Sequence, residues 1–236
     1  NGLINDTFKV CTDGCSAYVL QKINNAIFRD VELLQSNIVS VTSHIRKKLV
    51  EAGEADVERK VLTFVKLKDS EKTYWTDGNE YWRVSVFIPD AMTYETVNPE
   101  YSYYAGKAFG EFQAMLADIP DQLGETIPDF HNMELRARQL EEAAAADPVG
   151  RCADPEVQEI LSEIRKDIHE MCKAERLHRE GVLPKRICHC DTKVNNMMFD
   201  KEGNVLGISV IKHTETAGLG AVAAAGTSAG EAFRGG

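Results

Sequence analysis

The hydrophobic periodicity of the chain changes character at Pro89. Before it, apolar residues sit in short β-prone runs broken by turn signals; after it they recur every three or four residues, so a sheet is required first and helices second. Residues 8–12 and 17–23 are strand-like and are separated by Thr12-Asp13-Gly14, the signature of an antiparallel hairpin. Asp30 then stands where a helix N-cap is wanted, and Val31, Leu34, Ile38, Val41, Ile45 and Leu49 lay one apolar stripe along about five turns. Strands over 57–67 and 80–88, joined through Thr76-Asp77-Gly78-Asn79, complete a strand-rich lobe over residues 1–88. Beyond it, Asn98-Pro99 is an N-cap followed by proline at the first helical position, and Tyr101, Tyr104, Ala108, Phe109, Phe112, Met115 and Leu116 share a helical face. Helices are also expected over 133–146 and 154–179, then a short apolar run at 197–199, a turn at 200–204 and a β-prone segment at 205–211. The expected class is α+β, two lobes of unlike composition.

Composition narrows the partners. With 43% hydrophobic and 27% charged residues among 236, the chain has the makeup of a folded globular protein. Its formal charge of -10 repels polyanions, so neither nucleic acid nor an anionic membrane surface is an expected partner. No apolar run approaches the roughly 20 residues that span a bilayer and no secretory leader is legible, so a cytoplasmic address is expected. Six cysteines in a chain of this size read as reduced thiols, and the spacing of Cys188, His189 and Cys190 with Cys11 and Cys15 matches no common zinc module. The Ala/Gly-rich residues 217–236 offer little to pack and read as a disordered tail.

Chemistry concentrates in His189-Cys190-Asp191-Thr192-Lys193-Val194-Asn195-Asn196. A carboxylate, an ammonium two residues on and an amide five residues on, set on one short loop ahead of an apolar strand, are what phosphoryl transfer needs. Asp191 orients or deprotonates the acceptor hydroxyl, Lys193 neutralises charge on the moving group, and the Asn196 oxygen holds a Mg2+ that bridges nucleotide phosphates. His189 braces the loop. An upstream strand supplies a further candidate: Lys22 or its neighbour Gln21 faces the phosphates, alternation allowing only one, and Lys22 is favoured, while Glu32 reads as a solvated helix charge ahead of its alternative as a partner of Lys22.

These residues resemble the H-x-D-x-x-x-x-N loop of the phosphotransferase enzyme family, which includes aminoglycoside phosphotransferases and choline-kinase-like enzymes; within it the chain is most similar to N-acetylhexosamine 1-kinases. Gly2-Leu3-Ile4-Asn5-Asp6-Thr7-Phe8, Tyr18-Val19-Leu20-Gln21-Lys22-Ile23-Asn24, Trp82-Arg83 through Phe87-Ile88, and the 189–196 loop follow in the family's order over residues 1 to 208. The resemblance implies a bilobal protein-kinase-like fold with an N-terminal lobe over 1–88, an interlobe linker over 89–97 and a helical lobe over 98–216. It implies ATP and Mg2+ as cofactors and a sugar or amino sugar as acceptor. It assigns Asp191 as catalytic base and Asn196 as metal ligand, Asn5 and Thr7 to the loop over the phosphates, and Phe87 and Ile88 to the segment whose backbone meets adenine. One departure is plain. Where the family carries a second metal-binding Asp, residues 207–213 read Gly-Ile-Ser-Val-Ile-Lys-His, without a carboxylate before Glu215. The alternative expectation is therefore a nucleotide-binding, catalytically impaired pseudokinase or fragment, with an altered or truncated C-terminal segment.

Overall fold

Two strands, β1 (Asp6–Cys11) and β2 (Ala17–Ile23), form the expected antiparallel hairpin, with Cys11 opposite Ala17 and Asp6 opposite Lys22. The computed structural model describes residues 4–14, 17–94, 98–208 and 215–218. β3 (Tyr74–Thr76) and β4 (Tyr81–Val86) complete a four-stranded antiparallel sheet of order β1-β2-β4-β3. Against it lies α1 (Val31–Glu51), begun by the Asp30 carboxylate, which accepts the Leu33 N–H at 2.8 Å.

The apolar stripe of α1 serves two clusters. Its first turns, through Val31, Leu34 and Ile38, pack with Ile23, Phe28 and Tyr74 of the sheet side. Its later turns, through Val41 and Ile45, pack with Ala108, Phe112, Leu116, Met197, Phe199 and Ile208. Those partners come from α3 (Pro99–Met115), whose N-cap Asn98 accepts the Tyr101 N–H, and from the hairpin β6 (Met197–Phe199) and β7 (Val205–Ile208). One long amphipathic helix is thus the common support of the sheet and of the strand that leaves the 189–196 loop.

Residues 57–67 do not form the expected strand. Val57–Lys60 is a single helical turn, α2, entered through Asp56 at φ 54°, and only Phe64 makes an isolated bridge, to Ser85. The apolar residues that suggested a ladder are spent in the core: Val61 and Leu62 are buried and Val57 packs on the α1–α3 cluster. The real hairpin partner of β4 is the three-residue β3.

The chain divides into two compact units, Asn1–Ile127 with Ile187–Thr216, and Pro128–Arg186 with Ala217–Gly236. This division cuts across the lobes read from the sequence, because α3 and the 189–208 segment share their core with α1. The second unit holds α4 (Met133–Ala146), capped by Asn132, and α5 (Pro155–Met171), capped by Asp154 with Pro155 in its first turn. The helix expected over 154–179 is two helices, α6 (Lys173–Arg179) following a break at Cys172 that no proline or glycine signals. Arg165 meets Glu141 with two 2.8 Å hydrogen bonds, and Arg179 pairs with Glu134. Of the Ala/Gly-rich tail, Ala217 and Gly218 belong to a short strand (Glu215–Gly218), and residues 219–236, where disorder is expected, lie outside the described residues. Among the described residues no helix is long and apolar enough to cross a membrane.

Candidate active site

Strand β5 (Lys185–Cys188) leads into the loop. His189 follows, 1% exposed and set edge-on to the rings of Phe109 and Phe112 at 5.6 and 5.7 Å between centroids, so α3 clamps the loop at its entry. Cys190 is buried with φ at 59°, a left-handed conformation that a non-glycine residue adopts at a cost and that clusters at functional turns. This turn delivers Asp191. The Asp191 carbonyl accepts the Lys193 N–H at 3.0 Å and the Asn196 side-chain amide at 2.7 Å, and the Lys193 ammonium lies 3.3 Å from the Asp191 carboxylate. A single 3-10 turn, Val194–Asn196, closes the loop onto β6.

The structure therefore brings Asp191, Lys193 and Asn196 together as expected from their spacing. Asp191 keeps 23% of its side chain accessible, enough to meet an acceptor hydroxyl, and its ammonium neighbour can turn to a phosphoryl oxygen. Asn196 is buried and has its amide nitrogen committed to the Asp191 carbonyl, which leaves the amide oxygen for a hard cation. That oxygen is a single neutral donor, the one this loop could lend to a Mg2+. Residues 209–214, where a second carboxylate would be sought, lie outside the described residues.

A second group forms at the start of the sheet. Asn5 is buried, its side-chain oxygen accepts the Asn24 N–H at 2.9 Å, and its side-chain nitrogen has no acceptor among the described residues. An orphaned buried donor suits a phosphate oxygen. Thr7 bonds the Asn5 carbonyl at 3.4 Å and accepts the Gln21 amide at 3.0 Å. Gln21 thus shares the face of Thr7. Lys22 points to the other face, where it pairs with Glu80 beside Trp82, and the Glu80 hydrogen bond raises the Lys22 pKa. Glu32 pairs with Lys72 instead of Lys22, at 3.8 Å on an exposed surface.

Arg83 belongs to the Trp82-Arg83 motif of the resemblance, but no role for it is legible there. It stands opposite Gln21 across β2 and β4, is 2% exposed, and donates to Gln21 at 3.1 Å and to Gln35 of α1 at 3.0 Å. Burial pushes its pKa down to about 10. Only the register of two strands separated by the whole of α1 places it there.

Phe87 and Ile88 end the sheet: the Phe87 N–H bonds the Ala17 carbonyl at 3.1 Å, its ring carries the Lys9 ammonium at 4.0 Å, and Ile88 is buried. Four residues on, Met92 exchanges two backbone hydrogen bonds with Phe199, at 2.8 and 2.9 Å. The segment expected to meet adenine is thereby tied to the strand that follows the 189–196 loop.

The phosphotransferase enzyme family, compared as a family model, matches residues 1–208. The chain belongs to that family. Solved structures agree in architecture. An aminoglycoside phosphotransferase from Alicyclobacillus acidocaldarius superposes with a TM-score of 0.52 at 15% identity, covering 92% of this chain and 64% of that one. A choline kinase from Streptococcus pneumoniae gives 0.42 at 14% identity, covering 92% and 63%, and an ethanolamine kinase from Plasmodium vivax 0.41 at 17%, covering 92% and 56%. This phosphotransferase-family chain thus spans less than two thirds of the length of each, and the likeness to the first of them bears out the expected α+β, kinase-like fold.

Proposed function

We propose that the chain binds ATP and Mg2+ and is built to transfer the γ-phosphoryl group to a hydroxyl of a small molecule, a sugar or amino sugar. The observation that carries this is the closed 189–196 loop, with Asp191, Lys193 and Asn196 bonded to one another. In the reaction the acceptor oxygen attacks the γ-phosphorus, the bond to the β,γ-bridging oxygen breaks, and ADP leaves. Asp191 orients the hydroxyl and takes its proton, Lys193 offsets charge on the transferring group, and Asn196 holds the metal. A Mg2+ held by Asn196 would supply charge neutralisation for the phosphates. Asn5 and Thr7 form the cover over the phosphates, and Phe87 and Ile88 the backbone edge for adenine. The ordered motifs shared with N-acetylhexosamine 1-kinases support a hexosamine as acceptor.

A second reading is favoured by one observation. Residues 209–214, Ser-Val-Ile-Lys-His-Thr, contain no carboxylate. On that reading the chain binds nucleotide and transfers phosphate poorly or not at all. A coupled ADP-release assay with a panel of hexosamines separates the two. Sugar-dependent, Mg2+-dependent turnover supports the kinase; ADP release no faster with sugar than without, in a chain that binds ATP, supports the impaired form.

A further inference from the structure

A chain of polar contacts runs from the loop at Thr7 into the core: Thr7 to Gln21, Gln21 to Arg83, Arg83 to Gln35 of α1, and Gln35 to Thr73. Four of its members, Gln21, Arg83, Gln35 and Thr73, are buried, and the orphaned amide of Asn5 adjoins it through Thr7. Burying an arginine is costly, and a core made of apolar residues of similar volume is usually as stable or more so. A buried guanidinium that ties Gln21, on the face of Thr7, to Gln35 of α1 therefore asks for a purpose beyond packing. Lys22, the cation expected to serve the phosphates, is engaged with Glu80 on the opposite face.

We propose that Arg83 is the positioning residue for the nucleotide phosphates, holding Gln21 and through it Thr7, and directing the sheet's buried positive charge toward them. The proposal rests on the ATP reading above. The geometry divides the work plainly. The guanidinium Nε fixes the Gln21 oxygen, which turns the Gln21 amide nitrogen toward the Thr7 hydroxyl, while Nη1 anchors the whole group to α1. Stacking of the guanidinium over Phe64, at 5.4 Å, keeps its plane fixed. A charge at this site distinguishes a polyphosphate from an uncharged nucleoside, whereas a purely structural role would not.

The test is the ratio of ATP to adenosine affinity, measured by calorimetry on the full chain with Mg2+. Arg83→Met keeps the volume and removes the charge; Gln35→Glu keeps Arg83 and sets a carboxylate against it, so the measurement survives if the first variant does not fold. Both are expected to lower the ratio on the order of tenfold, with adenosine affinity unchanged. Arg83→Lys is expected to recover part of the loss. An unchanged ratio in folded variants, or an equal loss for adenosine and ATP, overturns the proposal. If the folded wild-type chain binds adenosine and ATP equally, Arg83 has no phosphate role while the adenine site stands. If it binds neither, the ATP reading falls and takes this proposal with it.

Discussion

Replacing glycine by alanine at two positions of the same unit should move stability in opposite directions. Gly207 lies in β7, and a Cβ built there would stand 2.3 Å from the Lys60 carbonyl oxygen and 3.1 Å from its carbon. A carbon and a carbonyl oxygen in contact normally sit about 3.3 Å apart or more, so α2 and β7 must separate by about 1 Å. Both groups are backbone, and no side-chain rotamer can absorb the shift. Overpacking of this kind costs about 1–3 kcal/mol, and the stiffer unfolded chain of alanine returns about 0.4–1 kcal/mol of it, leaving a net loss of about 1 kcal/mol. Gly106 is exposed in α3, and a Cβ there meets nothing within 4 Å. Its replacement by alanine should add about 0.5–1 kcal/mol from helix propensity alone. Thermal unfolding followed by tryptophan fluorescence reads this directly, since Trp75 and Trp82 both lie in the unit that contains the two glycines. At about 2–4 °C per kcal/mol, Gly207→Ala should lower Tm by about 2–4 °C and Gly106→Ala should raise it by about 1–4 °C. A Gly207→Ala variant as stable as the parent would refute the packing of β7 on α2, and with it the placement of the strand beyond the 189–196 loop.

Asp30→Ala should cost about 1 kcal/mol in chemical denaturation, because it removes the acceptor for the Leu33 N–H; a cost near zero would mean that α1 begins elsewhere. Asp191→Asn should lower kcat by about 10²–10⁴ with little change in ATP affinity, since a base acts chiefly in the transition state and the substitution leaves the backbone bond to Asn196 in place. Equal losses in both would assign Asp191 a structural role. The Asp200 carboxylate accepts hydrogen bonds from the Asn204 side chain and from the Asn204 and Glu202 backbone, which hold its pKa below the ordinary carboxylate range. The β6–β7 turn it closes is accordingly favoured above that range and loses this support as pH falls through the lowered value; a carboxyl NMR titration midpoint at or above an ordinary aspartate's would contradict the turn geometry.

Local chemistry wrote most of this fold into the sequence. The first hairpin, the Asp30 and Asn98 caps and the 189–196 loop each depend on residues a few positions apart, and the structure places them as the spacing requires. Reading failed where distant parts of the chain decide. Val57, Val61 and Leu62 look like a strand because β-branched and apolar residues are dense there, yet the cluster of α1 and α3 claims Val57 and Val61, and Leu62 is buried too. Tyr74–Thr76 is too short for any periodicity to reveal. Choosing between Gln21 and Lys22 needed the side of the sheet on which α1 lies, and Arg83 needed the register of β2 against β4 as well. The α5–α6 break at Cys172 has no local signal at all.

Calorimetric titration of the folded chain with ATP, with and without Mg2+, tests the central claim most directly. The account predicts saturable binding of one nucleotide, tightened by Mg2+ because Asn196 offers the metal an oxygen beside Asp191 and Lys193. A chain shown to be folded by its tryptophan fluorescence that takes up no ATP at millimolar concentration would contradict it.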